Sequence, residues 1–122
     1  MRCHLRQLDF KERRTHPRCQ VLGRVLVSVK SRFRNTLILT GNIQDLSQSG
    51  LALYTEMSDI KLVIGQVYNI ELIFAGEPVK ALHRCARFSQ NVDGADIVGF
   101  ELLSPDSKFK AAQRFIMNVS SN

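Results

Sequence analysis

From residue 24 onward, apolar and polar positions alternate with a period of two, the signature of strands with one buried face. In residues 24–30, Val25, Val27 and Val29 face one way. In residues 36–46, Leu37, Leu39 and Ile43 share a face, with Gly41 between them marking a bulge or a close backbone approach. Leu51 and Leu53 continue the pattern after a long turn, "DLSQSG", at residues 45–50. Residues 66–88 read as two strands joined at "AGEP", where Gly76 and Pro78 punctuate. Residues 95–103 form a further strand, with Val98, Phe100 and Leu102 on one face. The period then lengthens. Ser104 is a favourable N-cap and Pro105 suits a first helical position, so a helix is expected to start there. Phe109, Ala112, Phe115, Ile116 and Val119 are its expected apolar stripe.

About six short strands with hairpin-length connections, followed by one helix, predict a mainly β fold. An antiparallel sheet of that size with one buried face closes into a small barrel, and the helix covers an opening or edge. Residues 1–20 have no sustained apolar period and read as an arm, with a short helical turn around residues 8–14. Pro17 disfavours helix at His16. A chain of 122 residues is expected to form one domain.

Charge adds a feature that periodicity misses. The net charge is +6, but residues 1–34 carry ten Lys or Arg against two acids, Asp9 and Glu12, for a local +8. Residues 35–122 carry seven bases against nine acids, a local −2. Basic character confined to one end implies an anionic partner at one place. Three cysteines, Cys3, Cys19 and Cys85, with no paired spacing, imply reduced thiols rather than a disulfide framework or a zinc site. No apolar run reaches the roughly 18 residues of a membrane span. The charged N-terminus is unlike a signal peptide, so a cytoplasmic location is expected. The "NVS" run at 118–120 therefore carries no weight as a glycosylation site.

Two short motifs carry the candidate chemistry. Arg14 and Arg18 form RxxxR within "RRTHPRCQ" (13–20), and Asp45, Ser47 and Gly50 form DxSxxG. Each is common alone. Together, in this order, flanking a first strand and its hairpin, they are specific. Here the chain resembles the PilZ domain family of bacterial receptors for the second messenger cyclic di-GMP. The resemblance runs over roughly residues 12–118. It implies a six-stranded antiparallel PilZ-type barrel with a flexible basic N-terminal arm and a C-terminal α-helix. The expected organisation is an arm at 1–12, a PilZ domain at 13–119 and a short tail at 120–122. The resemblance further implies ligand contacts by Arg14 and Arg18 from the arm, and by Asp45, Ser47 and Gly50 from the barrel. An RRxxxR version, with Arg13, is similar to members that hold a stacked pair of ligands.

The residue chemistry agrees with that ligand. A guanidinium fork pairs with phosphate oxygens or the Hoogsteen edge of guanine, or stacks on the ring. Asp45 is an acceptor for the two donors of guanine's Watson–Crick edge. Ser47 can donate to the ligand or to local backbone, and the alternative for Asp45 and Ser47 is a side-chain-capped turn with no ligand. Gly50, without a Cβ, permits a sharp turn or a close approach. His16 reads as a spacer, His83 as a barrel or surface residue, and Arg84 and Arg87 as strand-surface charge.

The expected function is thus a non-catalytic receptor whose arm changes conformation on ligand binding. It would signal in trans to a downstream protein with a motility, pilus, exopolysaccharide or virulence output. Cyclic di-GMP is the expected ligand, and no cofactor or metal is implied. The alternative is a general single-stranded nucleic-acid-binding barrel. The net-acidic barrel and the lack of interleaved aromatic and basic residues argue against it. No paired carboxylates, metal spacing or nucleophile–base order suggest an enzyme.

Overall fold

The computed structural model describes residues 19–21, 23–55, 62–90, 96–104 and 106–120. The chain forms β1 (Cys19–Gln20), β2 (Leu26–Ser31), β3 (Leu37–Ser47), β4 (Gly50–Thr55), β5 (Val67–Phe74), β6 (Glu77–Gln90), β7 (Asp96–Ser104) and α1 (Ser107–Ser120). The strands run in the order β1-β3-β2-β5-β6-β7-β4, and β4 pairs back onto β3. Every pairing is antiparallel. Strands β2 to β7 thus close a six-stranded barrel, as expected, and closure leaves no free edge among them. The two-residue β1 is added outside the ring, against β3.

The alternating positions build the interior. Val27, Val29, Leu39, Ile43, Leu51, Leu53, Ile70, Val98 and Phe100 are all buried. Each fully buried aliphatic or aromatic side chain contributes on the order of 1.5–3 kcal/mol before entropy is charged against it. Helix α1 lays Phe109, Ala112, Ile116 and Met117 into the same core.

Several expectations change. Leu37 is 55% exposed. The pairs Val29↔Leu39 and Lys30↔Leu37 leave Ile38 as an extra residue on β3, and such a bulge reverses which face the flanking residues share. The expected long turn at 45–50 is tight. Strand β3 runs through Asp45 to Ser47, which pairs with Gly50, so Gln48 and Ser49 alone make the turn. The join at 74–77 is another two-residue turn. Phe74 pairs with Glu77, and Ala75 (φ 54°) and Gly76 (φ 81°) both adopt positive φ, the pattern of a type I′ hairpin.

The helix begins later than expected. Ser104 ends β7, paired with Leu82, and Pro105 lies outside the described residues. Asp106 is the cap: its Oδ1 accepts from the Phe109 N–H at 2.8 Å. The buried stripe is Phe109, Ala112, Gln113, Ile116, Met117 and Ser120. Phe115 and Val119 are 56% and 52% exposed, one step round the helix from it. The expected helical turn at 8–14, Pro17, His16 and Cys3 lie outside the described residues.

Candidate functional site

The DxSxxG residues sit on the β3–β4 hairpin, and a second bulge decides where they point. Before it, Leu39, Gly41 and Ile43 face inward at odd positions; after it, Leu46 does at an even one. The pairs Ile43↔Leu53 and Asp45↔Ala52 leave Gln44 as the extra residue. Uninterrupted alternation would have carried Asp45 into the core. The bulge instead leaves it half-buried and places Leu46 inside.

Ser47 is buried, and its hydroxyl closes the turn. Its Oγ accepts from the Ser49 N–H at 3.2 Å and lies 3.2 Å from Ser49 Oγ. The backbone around it is held from two sides. The Ser47 carbonyl accepts from Gln113 Nε2 at 2.8 Å, and the Ser49 carbonyl accepts from the Leu102 N–H at 2.8 Å. Gly50 is buried where β4 meets β7. A Cβ there would stand 2.1 Å from the Phe100 carbonyl oxygen, so no other residue fits. Its lack of a side chain serves strand contact. Helix α1 and strand β7 therefore clamp the turn that follows Asp45.

Arg13, Arg14 and Arg18 lie outside the described residues. The residues that follow them do not. Strand β1 pairs Cys19 with Leu46 and Gln20 with Asp45. Val21 N–H then donates to the Gln44 carbonyl at 3.0 Å. Cys19 is 1% exposed, with its Sγ 3.9 Å from the Met117 carbonyl. The end of the basic segment is thereby fastened beside the acidic residue of the second motif.

A cleft of about 400 Å³ continues from that junction, lined by Gln20, Gly23, Arg24, Asn42, Gln44 and Tyr54 among others. Asn42 Oδ1 is buried there without a hydrogen-bond partner among the described residues. Sequence reading singled out none of Arg24, Asn42 or Gln113. Gln113 lies four residues after Phe109 on the buried side of the helix, and a polar residue in that place was the available signal. Arg84 is exposed and pairs with Glu101 at 3.2 Å, and the exposed Arg87 lies over Gly99, both in keeping with surface charge.

His83 is fully buried. Its Nδ1 is 3.0 Å from the Ala81 carbonyl, and its ring meets Phe100 and Phe109 edge-on at 6.3 and 5.5 Å. Burial lowers its pKa to about 4, only partly opposed by the Ala81 hydrogen bond. Burial also raises the Cys85 thiol, which favours an inert reduced side chain. Among the described residues, no group of His, Cys, Asp and Glu could hold a metal ion. No helix among them is long and apolar enough to cross a membrane.

Comparison with known proteins decides the family. The PilZ domain model matches residues 12–118. The chain belongs to the PilZ domain family. Solved structures agree in fold. The PilZ domain with c-di-GMP of YcgR from Escherichia coli is 15% identical, with a TM-score of 0.69 over 89% of this chain and 92% of that one. The Klebsiella pneumoniae MrkH–c-di-GMP complex is 17% identical, with a TM-score of 0.66 over 88% and 51%. The Bacillus subtilis inhibitor of motility (MotI/DgrA) is 10% identical, with a TM-score of 0.67 over 88% and 51%. This PilZ chain thus spans about half the length of the latter two. No curated protein matches it by sequence.

Proposed function

We propose that this PilZ domain is a non-catalytic receptor for cyclic di-GMP that signals in trans to a protein partner. The observation that carries the reading is the register of β1: Cys19, bonded directly to Arg18, pairs with Leu46, and Gln20 pairs with Asp45. Consecutive Cα atoms are about 3.8 Å apart, so this pairing supports a reading in which Arg18 acts beside the DxSxxG hairpin. Structures named as complexes with c-di-GMP share the fold and support the ligand class.

In this reading Arg14 and Arg18 contact phosphate and guanine, and Asp45 accepts from the guanine Watson–Crick edge. Arg13 adds charge for a second ligand. Ser47 and Gly50 act mainly by building the turn that presents Asp45, since the Ser47 hydroxyl already serves the turn and Gly50 abuts Phe100. Ligand binding draws the arm over the hairpin, and the altered surface reaches a motility, pilus, exopolysaccharide or virulence partner.

Calorimetry on variants tests this. A hydrogen bond to a charged group is worth roughly 1.5–3 kcal/mol, about 10- to 150-fold in affinity. Arg14→Ala, Arg18→Ala and Asp45→Ala are each expected to lose affinity in that range. Asp45→Ala is expected to lose more of the preference for cyclic di-GMP over cyclic di-AMP than Arg18→Ala, because the carboxylate reads the base edge. Wild-type affinity in all three variants, or tight binding of a single-stranded oligonucleotide in place of the dinucleotide, overturns the proposal.

A further inference from the structure

A groove of about 700 Å³ lies on another part of the barrel, between α1 and strands β2 and β5. Its exposed apolar residues are unusually large for a surface. Leu26 is 59% exposed, Ile73 67% and Phe115 56%. Phe115 tilts against Phe74 with ring centroids 5.6 Å apart, and Val119, 52% exposed, continues the patch one turn further along the helix. Contiguous apolar surface of this kind marks a binding face.

The charges around the patch that are not held in ion pairs are basic. Helix α1 carries Lys108, Lys110 and Arg114 and no acidic residue, and Lys108 pairs with Glu77 at 3.6 Å. Arg24 lines the groove, Arg114 precedes Phe115, and Lys80 sits opposite Glu71 on the neighbouring strand. Arg24, Lys80 and Arg114 have no ion-pair partner among the described residues. The groove's one acid, Glu71, is paired with Lys30 at 2.5 Å. A second copy of the chain would bring the same cations, and a net +6, against this face. Self-association is therefore disfavoured, and a partner of opposite charge is favoured.

We infer that this groove docks an apolar segment flanked by Asp or Glu on a partner protein. The inference rests on the receptor reading, in which a domain without catalysis passes its signal through a partner. Phe115, Ile73 and Leu26 supply the apolar contact, and Arg24 and Arg114 select for acidic flanks. Arg24 also lines the cleft beside Asp45, so one residue borders both the ligand side and the docking side.

The probes are two synthetic amphipathic helical peptides with the same Leu and Phe face, one with Glu flanks and one with Lys flanks. Each is titrated into the full isotope-labelled chain by NMR, with and without cyclic di-GMP. The Glu peptide is expected to bind, shifting Leu26, Ile73, Phe115 and Val119, while the Lys peptide does not. Ile73→Lys and Phe115→Ser, both exposed and expected to fold normally, should each weaken binding about 30-fold, as for a central interface residue. Paired Arg24→Glu and Arg114→Glu substitutions should reverse the peptide preference. Equal binding of both peptides, shifts elsewhere, concentration-dependent self-association through these residues, or binding to anionic lipid vesicles in preference to the Glu peptide each overturns the inference. Cyclic di-GMP calorimetry on the same proteins separates the two readings. No ligand heat with peptide binding intact removes the receptor, whereas ligand heat without peptide binding removes the groove.

Discussion

At His83 the barrel buries a group that water would leave half-charged near neutral pH. Its Nδ1–H donates to the Ala81 carbonyl, and its Nε2, between two phenylalanine rings, has no partner among the described residues. The folded pKa of about 4 lies below the ordinary 6.5. The unfolded chain therefore takes up a proton that the folded chain refuses. Stability from the neutral imidazole is full above pH 6.5 and is lost as pH falls from there through 4, by about 3 kcal/mol in all. Urea unfolding at pH 7 and pH 4.5 should show a steeper loss in the wild type than in His83→Leu; parallel losses would mean that His83 is not the proton acceptor. Gly50 makes a different residue-scale point. An alanine methyl would meet the Phe100 carbonyl, a backbone atom that cannot rotate away. Gly50→Ala should destabilise the ligand-free chain by about 3 kcal/mol, at the upper end of overpacking costs. Asp45→Ala, in a half-buried strand position, should cost clearly less ligand-free stability than Gly50→Ala. Thermal melts of the two variants distinguish a glycine needed for strand contact from one needed for ligand.

At the scale of elements, the barrel strands were legible because alternation survives wherever one face is buried. Val27, Val29, Leu39, Leu53, Val98 and Phe100 all lie inside as read. What alternation cannot show is a bulge. Gln44 looks like any strand residue, yet it alone turns Asp45 out and Leu46 in. Strand β1 is two residues long and too short to show a period, so the segment that pairs with Leu46 and Asp45 read as arm. The DxSxxG motif was visible, but the division of its residues was not, because the clamp comes from Gln113 and Leu102, distant in sequence. The β5–β6 turn offers a test at this scale. Its first residue, Ala75, holds φ 54°, a conformation that costs an ordinary L-residue about 1–2 kcal/mol and that asparagine tolerates better. Ala75→Asn should raise stability by about 1 kcal/mol, read as a higher urea midpoint at unchanged slope. No gain would mean that the turn relaxes without penalty.

For the whole molecule, the division of charge makes the strongest claim about the ligand. Residues 1–34 hold +8 and residues 35–122 hold −2. In the proposed reading the barrel half supplies the acceptor Asp45 and the N-terminal third supplies the cations, so neither part alone suits a ligand with phosphates and guanines. One cyclic di-GMP brings two phosphate charges, and a stacked pair brings four. Four such charges in one place are tolerated only where several cations neutralise them. Arg13 adds a third guanidinium to Arg14 and Arg18, and the local +8 can offset a pair. We therefore expect two ligands per chain at saturation, and a shift toward one in Arg13→Ala without loss of binding. The check is a titration with protein held well above the dissociation constant, so that the break point counts ligands directly. The two-ligand state should also weaken more steeply with added salt than the one-ligand state of the variant, because more ionic contacts are screened. A wild-type break at one ligand per chain would show that Arg13 recruits no second molecule, and equal salt dependence in wild type and variant would remove it from the ionic contacts altogether.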